Sequence, residues 1–256
     1  MPTALITGAS SGIGEQFAYA LAREHYVLAL TARREDRLRV IAAQAQSLGA
    51  PATSVFGCDL SQRSSPPDLY RKVTAAGLRI DMLINNAGFG TRGRFDQLAL
   101  ERELEEIDLN VSAVVALTRL FLPAMIAERR GTIINVASSA GFQPVPYMAT
   151  YAATKSFVLS FSMALHRELN GTGVHVMALC PGATRTEFQG VAHTDATMPS
   201  FMYMDPETVV AQALRAAGKK RAVCINGALN RMATEAQRVA PRGLVTRIAA
   251  MIFRPE

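Results

Sequence analysis

The chain has 256 residues, 49% of them hydrophobic and 19% charged, the composition of a globular domain and unlike that of disordered or collagenous sequences. A chain of this length buries roughly 70–75% of its unfolded surface, so disulfides and a structural metal are not required; Cys58, Cys180 and Cys224 lack CxxC or Cys/His patterning, which points to a reducing, cytoplasmic setting and away from zinc. The net charge of +6 is concentrated at one end: residues 1–211 hold 18 Lys and Arg against 19 Asp and Glu, residues 212–256 hold 9 against 2, and no nucleic-acid reading module accompanies that basic block.

In chain order, short apolar runs rich in β-branched residues alternate with longer segments of helical periodicity. A strand at Ala4–Thr7 precedes a helix over about Ile13–Glu24, a strand at Tyr26–Ala32, a helix at Asp36–Leu48 and a strand at Ala52–Gly57. A helix from Pro66, a strand at Met82–Asn85, one long helix from Glu101 to Glu128 and a strand at Thr132–Val136 follow. The series ends with a helix over Thr150–Asn170, a strand at Val174–Leu179 and a helix from Pro206. Repeated βαβ units with continuously apolar strands predict an α/β fold, a single doubly wound parallel sheet covered by helices on both faces, over residues 1–256. Met1–Thr7 lacks a signal peptide's basic and apolar regions. The apolar run near Val111–Ala127 is interrupted by Arg119 and Pro123, short of the roughly 18 residues of a membrane span, so neither export nor membrane crossing is expected.

Between the first strand and first helix lies Thr7-Gly8-Ala9-Ser10-Ser11-Gly12-Ile13-Gly14. Glycines there let backbone N–H groups at a helix N-terminus approach a pyrophosphate. The spacing is GxxxGxG, not GxGxxG. The same letters match GxSxG, the nucleophile elbow of a hydrolase, with Ser10 as nucleophile and His166, His175 or His193 as partner by order alone. That reading is weaker, because such an elbow follows several strands and leaves Gly14 without a role. Arg33 and Arg34 fall 19 and 20 residues after Gly14, where an acid would select NAD and arginine suits a 2′-phosphate, so NADP(H) is favoured.

Tyr151 and Lys155 are four residues apart in a predicted helix and therefore share a face. A tyrosine works as acid/base near neutrality if its pKa falls from about 10 to near 7, worth about 4 kcal/mol. An ammonium about 4 Å away, at an effective dielectric of about 20, supplies about that much. Alone, YxxxK also describes a tyrosine packed beside a surface lysine. Ser138 follows the strand Thr132–Val136, at its carboxyl end, where doubly wound folds place their chemistry.

Together these motifs resemble the short-chain dehydrogenase/reductase family, across essentially the whole chain. Asn85-Asn86-Ala87-Gly88, Asn110 and Pro181-Gly182 complete the set, with Ser138 thirteen residues before Tyr151. The resemblance implies a Rossmann-type fold in which Tyr151 transfers the proton and Ser138 hydrogen-bonds the substrate oxygen. It also implies that Lys155 holds the nicotinamide ribose and acidifies Tyr151, and that Asn110 holds a relay water. Implied NADP(H) contacts are Gly8, Ser10, Ser11, Gly12, Ile13, Gly14, Arg33, Arg34, Asp59, Leu60, Asn86, Ala87, Gly88, Tyr151, Lys155, Pro181, Gly182 and Thr186. Asp59 would face the adenine and Thr186 the nicotinamide amide. Some NADP-preferring members carry a basic residue where this chain has Ser11, which leaves Arg33 and Arg34 to supply phosphate selectivity. A homodimer or homotetramer is implied as well. The competing class is a silent NADP-binding sensor, against which intact Ser138, Tyr151 and Lys155 argue.

On the substrate side, the stretch Pro181–Met204 shows no clear element and reads as a lid over about residues 187–204, its Met198–Met204 portion apolar and methionine-rich. Phe142, Tyr147 and Met148 are expected to line the same pocket, which suggests a lipophilic carbonyl/alcohol substrate. Ala228–Phe253 reads as two amphipathic pieces bearing Arg231, Arg238, Arg242 and Arg247. Such pieces pack on the protein or a second subunit, or lie on a membrane surface.

Overall fold

The computed structural model describes residues 1–192, 203–237 and 239–255. Seven parallel strands form one sheet in the order β3-β2-β1-β4-β5-β6-β7. They are β1 (Thr3–Thr7), β2 (Val27–Ala32), β3 (Thr53–Gly57), β4 (Met82–Asn85), β5 (Gly131–Val136), β6 (Val174–Cys180) and β7 (Val223–Ile225). Every residue of β1, β4 and β6 is buried, the condition behind their largely apolar sequences, with Thr3, Thr7, Asn85 and His175 as buried polar exceptions. Helices α1 (Gly12–Arg23), α2 (Glu35–Ser47) and α8 (Pro206–Gly218) enclose one core with Phe17, Leu21, Leu38 and Val209. On the opposite face α3 (Ser65–Ala75) and α5 (Ala113–Ala127) enclose another with Leu69, Leu117, Phe121 and Met125. This is the doubly wound arrangement expected. Strand order reverses between β1 and β4, opening a crevice at their carboxyl ends.

The expected single helix from Glu101 to Glu128 is instead α4 (Leu100–Ile107), a π-turn at Asp108–Ser112, and α5. Inside that turn Asn110 donates from Nδ2 to Phe89 O (2.9 Å) and Thr154 Oγ1 (3.1 Å), while its Oδ1 accepts from Phe89 N (3.2 Å). The extra residue in the turn sets Asn110 against the loop after β4 and the helix that carries Thr154; π-bulges often occur at functional sites. The 28-residue rod Leu100–Ala127 is long and apolar enough to cross a membrane, unlike the interrupted run expected, yet Leu117, Phe121 and Met125 spend its apolar face on the sheet. β7, three residues long, has no counterpart among the expected elements, and α7 (Phe188–Ala192) occupies part of the supposed gap. α6 (Ala149–Glu168) carries Tyr151 and Lys155, and the tail forms two helices, α9 (Ala228–Ala236) and α10 (Arg242–Phe253).

Candidate active site

The crevice is a cleft of about 470 Å³ running from Arg33 and Arg34, past the glycine turn, to Tyr151, Lys155 and the apolar residues beyond. Gly8 and Gly12 adopt φ of +64° and +57°, a region that favours glycine. A Cβ on Gly8 would lie 2.8 Å from Ala87 Cα, and one on Gly12 would lie 2.9 Å from Thr186 Cγ2. The turn is therefore pressed against the β4 loop and the Thr186 loop. Asn86 fixes it by donating from Nδ2 to Thr7 O (2.9 Å) and Gly8 O (3.1 Å), while Thr7 Oγ1 accepts from the N–H groups of Asn86 and Ala87 (2.9 Å each). Gly14 does not line the cleft: a Cβ there would stand 2.3 Å from Gly8 O, so it permits the tight turn from behind.

Ser10 has no hydrolase partner among the described residues. His175 pairs with Thr132 near the amino-terminal ends of β5 and β6, and His166 stacks edge-on against it at 5.3 Å, at the opposite end of the strands from the glycine turn. His193 lies outside the described residues.

At the far end of the cleft Arg34 Nη2 donates to Ser10 Oγ (3.2 Å) and pairs with Glu187 Oε2 (2.6 Å), while Arg33 Nη1 stands 3.8 Å from Glu105 Oε1. Arg34 beside Glu187 holds that carboxyl below the usual glutamate range. Glu35 and Asp36 occupy the first turn of α2. Asp59 Oδ1 accepts from Ser61 N (3.1 Å) and Ser61 Oγ (2.8 Å), and with Leu60 it forms the floor after β3.

Ser138, Tyr151 and Lys155 meet in the middle of the cleft. Ser138 Oγ accepts from Ala140 N (3.1 Å), which orients the hydroxyl at the end of β5. Lys155, 5% exposed, donates from Nζ to Val136 O at 2.9 Å and stands 5.7 Å from the Tyr151 ring centre. Burial pushes the Tyr151 phenol up to about 12, against the pull of its hydrogen bond with Ser138. Burial lowers Lys155 to about 8, opposed by the charge of Glu106. Burial of the phenol thus opposes the acidification expected from its lysine, and Lys155 spends a hydrogen bond on Val136 O. Asn110 sits behind this group rather than in the cleft wall: a Cβ on Gly88 would be 2.8 Å from its Oδ1 and 3.3 Å from Lys155 Nζ.

A buried carboxyl pair on α4 backs the same helix and was not anticipated, since Glu101-Arg102-Glu103-Leu104-Glu105-Glu106 reads as a wet helical face. Glu106 Oε2 accepts from Thr91 N (3.0 Å) and Thr91 Oγ1 (2.9 Å), and Glu103 Oε1 accepts from Thr91 Oγ1 (2.6 Å). Glu103 Oε2 accepts from Thr150 Oγ1, beside Tyr151. Glu106 is fully buried, its Oε1 has no hydrogen-bond partner, and burial raises it to about 7.

Beyond Tyr151 the walls are Val145, Met148, Phe188, Tyr203 and Phe253, with the Phe188 ring 5.3 Å from that of Tyr151. Of the three residues expected here, only Met148 takes part. Phe142 packs against the Ala137, Val158 and Ala178 cluster, and Tyr147 turns away with φ 66° to line a groove with Gly93 and Phe95. Of the supposed lid, residues 193–202 lie outside the described residues, Met198–Met202 among them. Phe253, some hundred positions from Tyr151 in sequence, is held by Arg92, whose Nε donates to Phe253 O (2.9 Å) and whose Nη2 donates to Arg254 O (2.7 Å).

Residues 2–197 match the family described as short chain dehydrogenase. A very-long-chain 3-oxoacyl-CoA reductase of Anas platyrhynchos is 32% identical over 221 residues, 84% of this chain and 68% of that protein. Among solved structures, a short-chain dehydrogenase from Sphingobium yanoikuyae in complex with NADPH is 35% identical with a TM-score of 0.84, covering 96% of this chain and 95% of the other. The bulky-bulky ketone specific alcohol dehydrogenase from Comamonas testosteroni is 33% identical with a TM-score of 0.80, covering 96% and 94%. A glycine turn at the β1 carboxyl end, with serine, tyrosine and lysine converging beside it, agrees with these likenesses, and the chain belongs to the short-chain dehydrogenase family.

Proposed function

We propose that this chain moves hydride between NADP(H) and a carbonyl/secondary alcohol pair, its substrate a lipophilic ketone, aldehyde or 3-oxoacyl compound. The observation that carries the reading is one continuous cleft bounded by the glycine turn, the Arg33–Arg34 pair and the Ser138–Tyr151–Lys155 group. The residues fit the cofactor. Gly8 and Gly12 expose backbone to a pyrophosphate, Asn86 to Gly88 and Pro181 to Thr186 flank its course, and Arg33 and Arg34 offer guanidinium forks to a 2′-phosphate.

When bound, the reduced nicotinamide supplies the hydride. The protein supplies the rest: Ser138 Oγ and Tyr151 Oη hold the carbonyl oxygen, and Tyr151 gives it a proton. A phenol raised to about 12 carries that proton at neutral pH, the state a reductase needs. Lys155 and Asn110 lie behind Tyr151 along the route by which the proton is replaced. Val145, Met148, Phe188, Tyr203 and Phe253 exclude water and favour bulky apolar substituents. The relatives acting on a very-long-chain 3-oxoacyl-CoA and on bulky ketones support this substrate class. Exposed Leu104, Ile107, Phe157 and Met163 on α4 and α6 support a homo-oligomer.

The test is NADPH oxidation by the purified protein over bulky ketones, medium-chain aldehydes and 3-oxoacyl thioesters. Turnover with at least one of these classes is expected. Tight NADPH binding with no oxidation across the panel would make the chain a nucleotide sensor instead.

A further inference from the structure

The basic end of the chain has two unlike faces. Inward, Thr234 and Ala249 are buried, Asn230 donates from Nδ2 to Asn226 O (2.9 Å), and Phe253 closes over Val145, Met148 and Ala152. Outward, α9 and α10 with their connection present Leu229, Met232, Val239, Leu244, Ile248, Met251 and Ile252, each between 40% and 88% exposed. These are seven of the sixteen large hydrophobics exposed among the described residues, gathered in a stretch of 24 positions. On α10 they recur as Leu244, Ile248 and Met251–Ile252, one stripe along the helix.

Arginine flanks the stripe. Arg231, Arg242, Arg247 and Arg254 are exposed, and Glu235 is the one acid in residues 228–255. Exposed apolar side chains interspersed with long cations, whose stems can lie along apolar surface, match an interface with hydrocarbon below and anionic headgroups beside it. A second copy of the chain suits the surface less well, because pairing like faces would bring arginines against arginines. We infer that α9 and α10 form a docking surface for an anionic lipid bilayer, set at the mouth of the cleft whose wall Phe253 completes. The docking claim stands on the tail itself and is independent of the substrate assigned above.

The experiment is co-sedimentation of the full chain, without substrate or nucleotide, with vesicles of phosphatidylcholine alone and of phosphatidylcholine with about a third phosphatidylglycerol. Partitioning at least tenfold stronger onto the anionic vesicles is expected, falling steeply as salt is raised. Two variants separate the contributions: Arg242→Glu with Arg247→Glu, and Leu244→Ser with Ile248→Ser and Met251→Ser. Each should lose most of the binding while keeping the wild-type circular dichroism, since all five side chains are exposed. Equal binding to both vesicle types, or none, overturns the inference. So does a wild-type oligomer that the second variant dissociates in sedimentation velocity, which would make this face a contact between copies. Should a variant misfold, the lipid and salt dependence of the wild type decides alone. Failure here leaves NADPH turnover untouched, so the two readings fall separately.

Discussion

Replacing Glu106 by glutamine tests the electrostatics behind the catalytic helix. The carboxyl is fully buried, lacks a partner on Oε1 and is raised from the ordinary glutamate value of 4.5 to about 7 by burial, with Glu103 adding to the rise and Lys155 and Thr91 opposing it. Between those values the folded protein keeps a proton that the unfolded chain has released, so stability falls as pH rises through this window. The full cost is about 3 kcal/mol, of which about 2.5 kcal/mol develops between pH 5 and pH 8. Glu106→Gln keeps an oxygen for Thr91 and removes the titration; any price of its extra N–H groups is the same at both pH values. Urea unfolding of both proteins at pH 5 and pH 8 should therefore show the wild type losing about 2.5 kcal/mol more than the variant over that interval. Parallel losses would mean that Glu106 ionises in the folded protein as it does in water, and the account of a desolvated acid behind Lys155 would fail.

Three further outcomes follow from the cleft. Tyr151→Phe should lower turnover by about 10²- to 10⁴-fold, the usual worth of a positioned acid, with NADPH affinity by fluorescence within about threefold of wild type. Arg33→Ala combined with Arg34→Ala should weaken NADPH roughly ten- to a hundredfold, from the loss of about 1.5–3 kcal/mol of charged hydrogen bonding, while NADH changes little; equal losses for the two nucleotides would refute the 2′-phosphate role. Gly14→Ala puts a Cβ 2.3 Å from Gly8 O and should cost about 1–3 kcal/mol in thermal unfolding, whereas Gly243→Ala, with nothing within 4 Å, should not destabilise the protein.

What could be read from the sequence was what lies close in sequence or is forced by periodicity. Buried parallel strands are predominantly apolar, so six of seven are legible; β7 is only Val223-Cys224-Ile225, too short to carry a pattern. The break at Asp108–Ser112 was hidden because a π-turn adds one residue to a helix without changing its helix-forming composition. The glycine turn and the Tyr151–Lys155 pair were legible because their spacing is their geometry. Glu103 and Glu106 were hidden because buried and solvated glutamates are the same letters, and only Thr91 and Thr150, from other elements, show which these are. Phe253 and Arg92 were hidden for a related reason: 161 positions separate them, and no local signal announces that the tail returns to the cleft.

The largest disagreement concerns Tyr151, and it bears on how the proton is managed. Arithmetic from the sequence put an ammonium about 4 Å from the phenol and let Coulomb attraction act alone. In the folded protein Nζ donates a hydrogen bond to Val136 O, and both groups have lost water, a change that penalises phenolate and ammonium alike. The phenol therefore rises to about 12 as the lysine falls to about 8. Ultraviolet titration of tyrosinate in protein without added nucleotide, taken as the difference between wild type and Tyr151→Phe, should show no Tyr151 ionisation below pH 10. A step near pH 7 would restore the simple lysine argument. With NADP⁺ added, a cationic ring bound close to the phenol would bring the step to lower pH; an unmoved step would mean that the charge of the bound cofactor does not reach Tyr151.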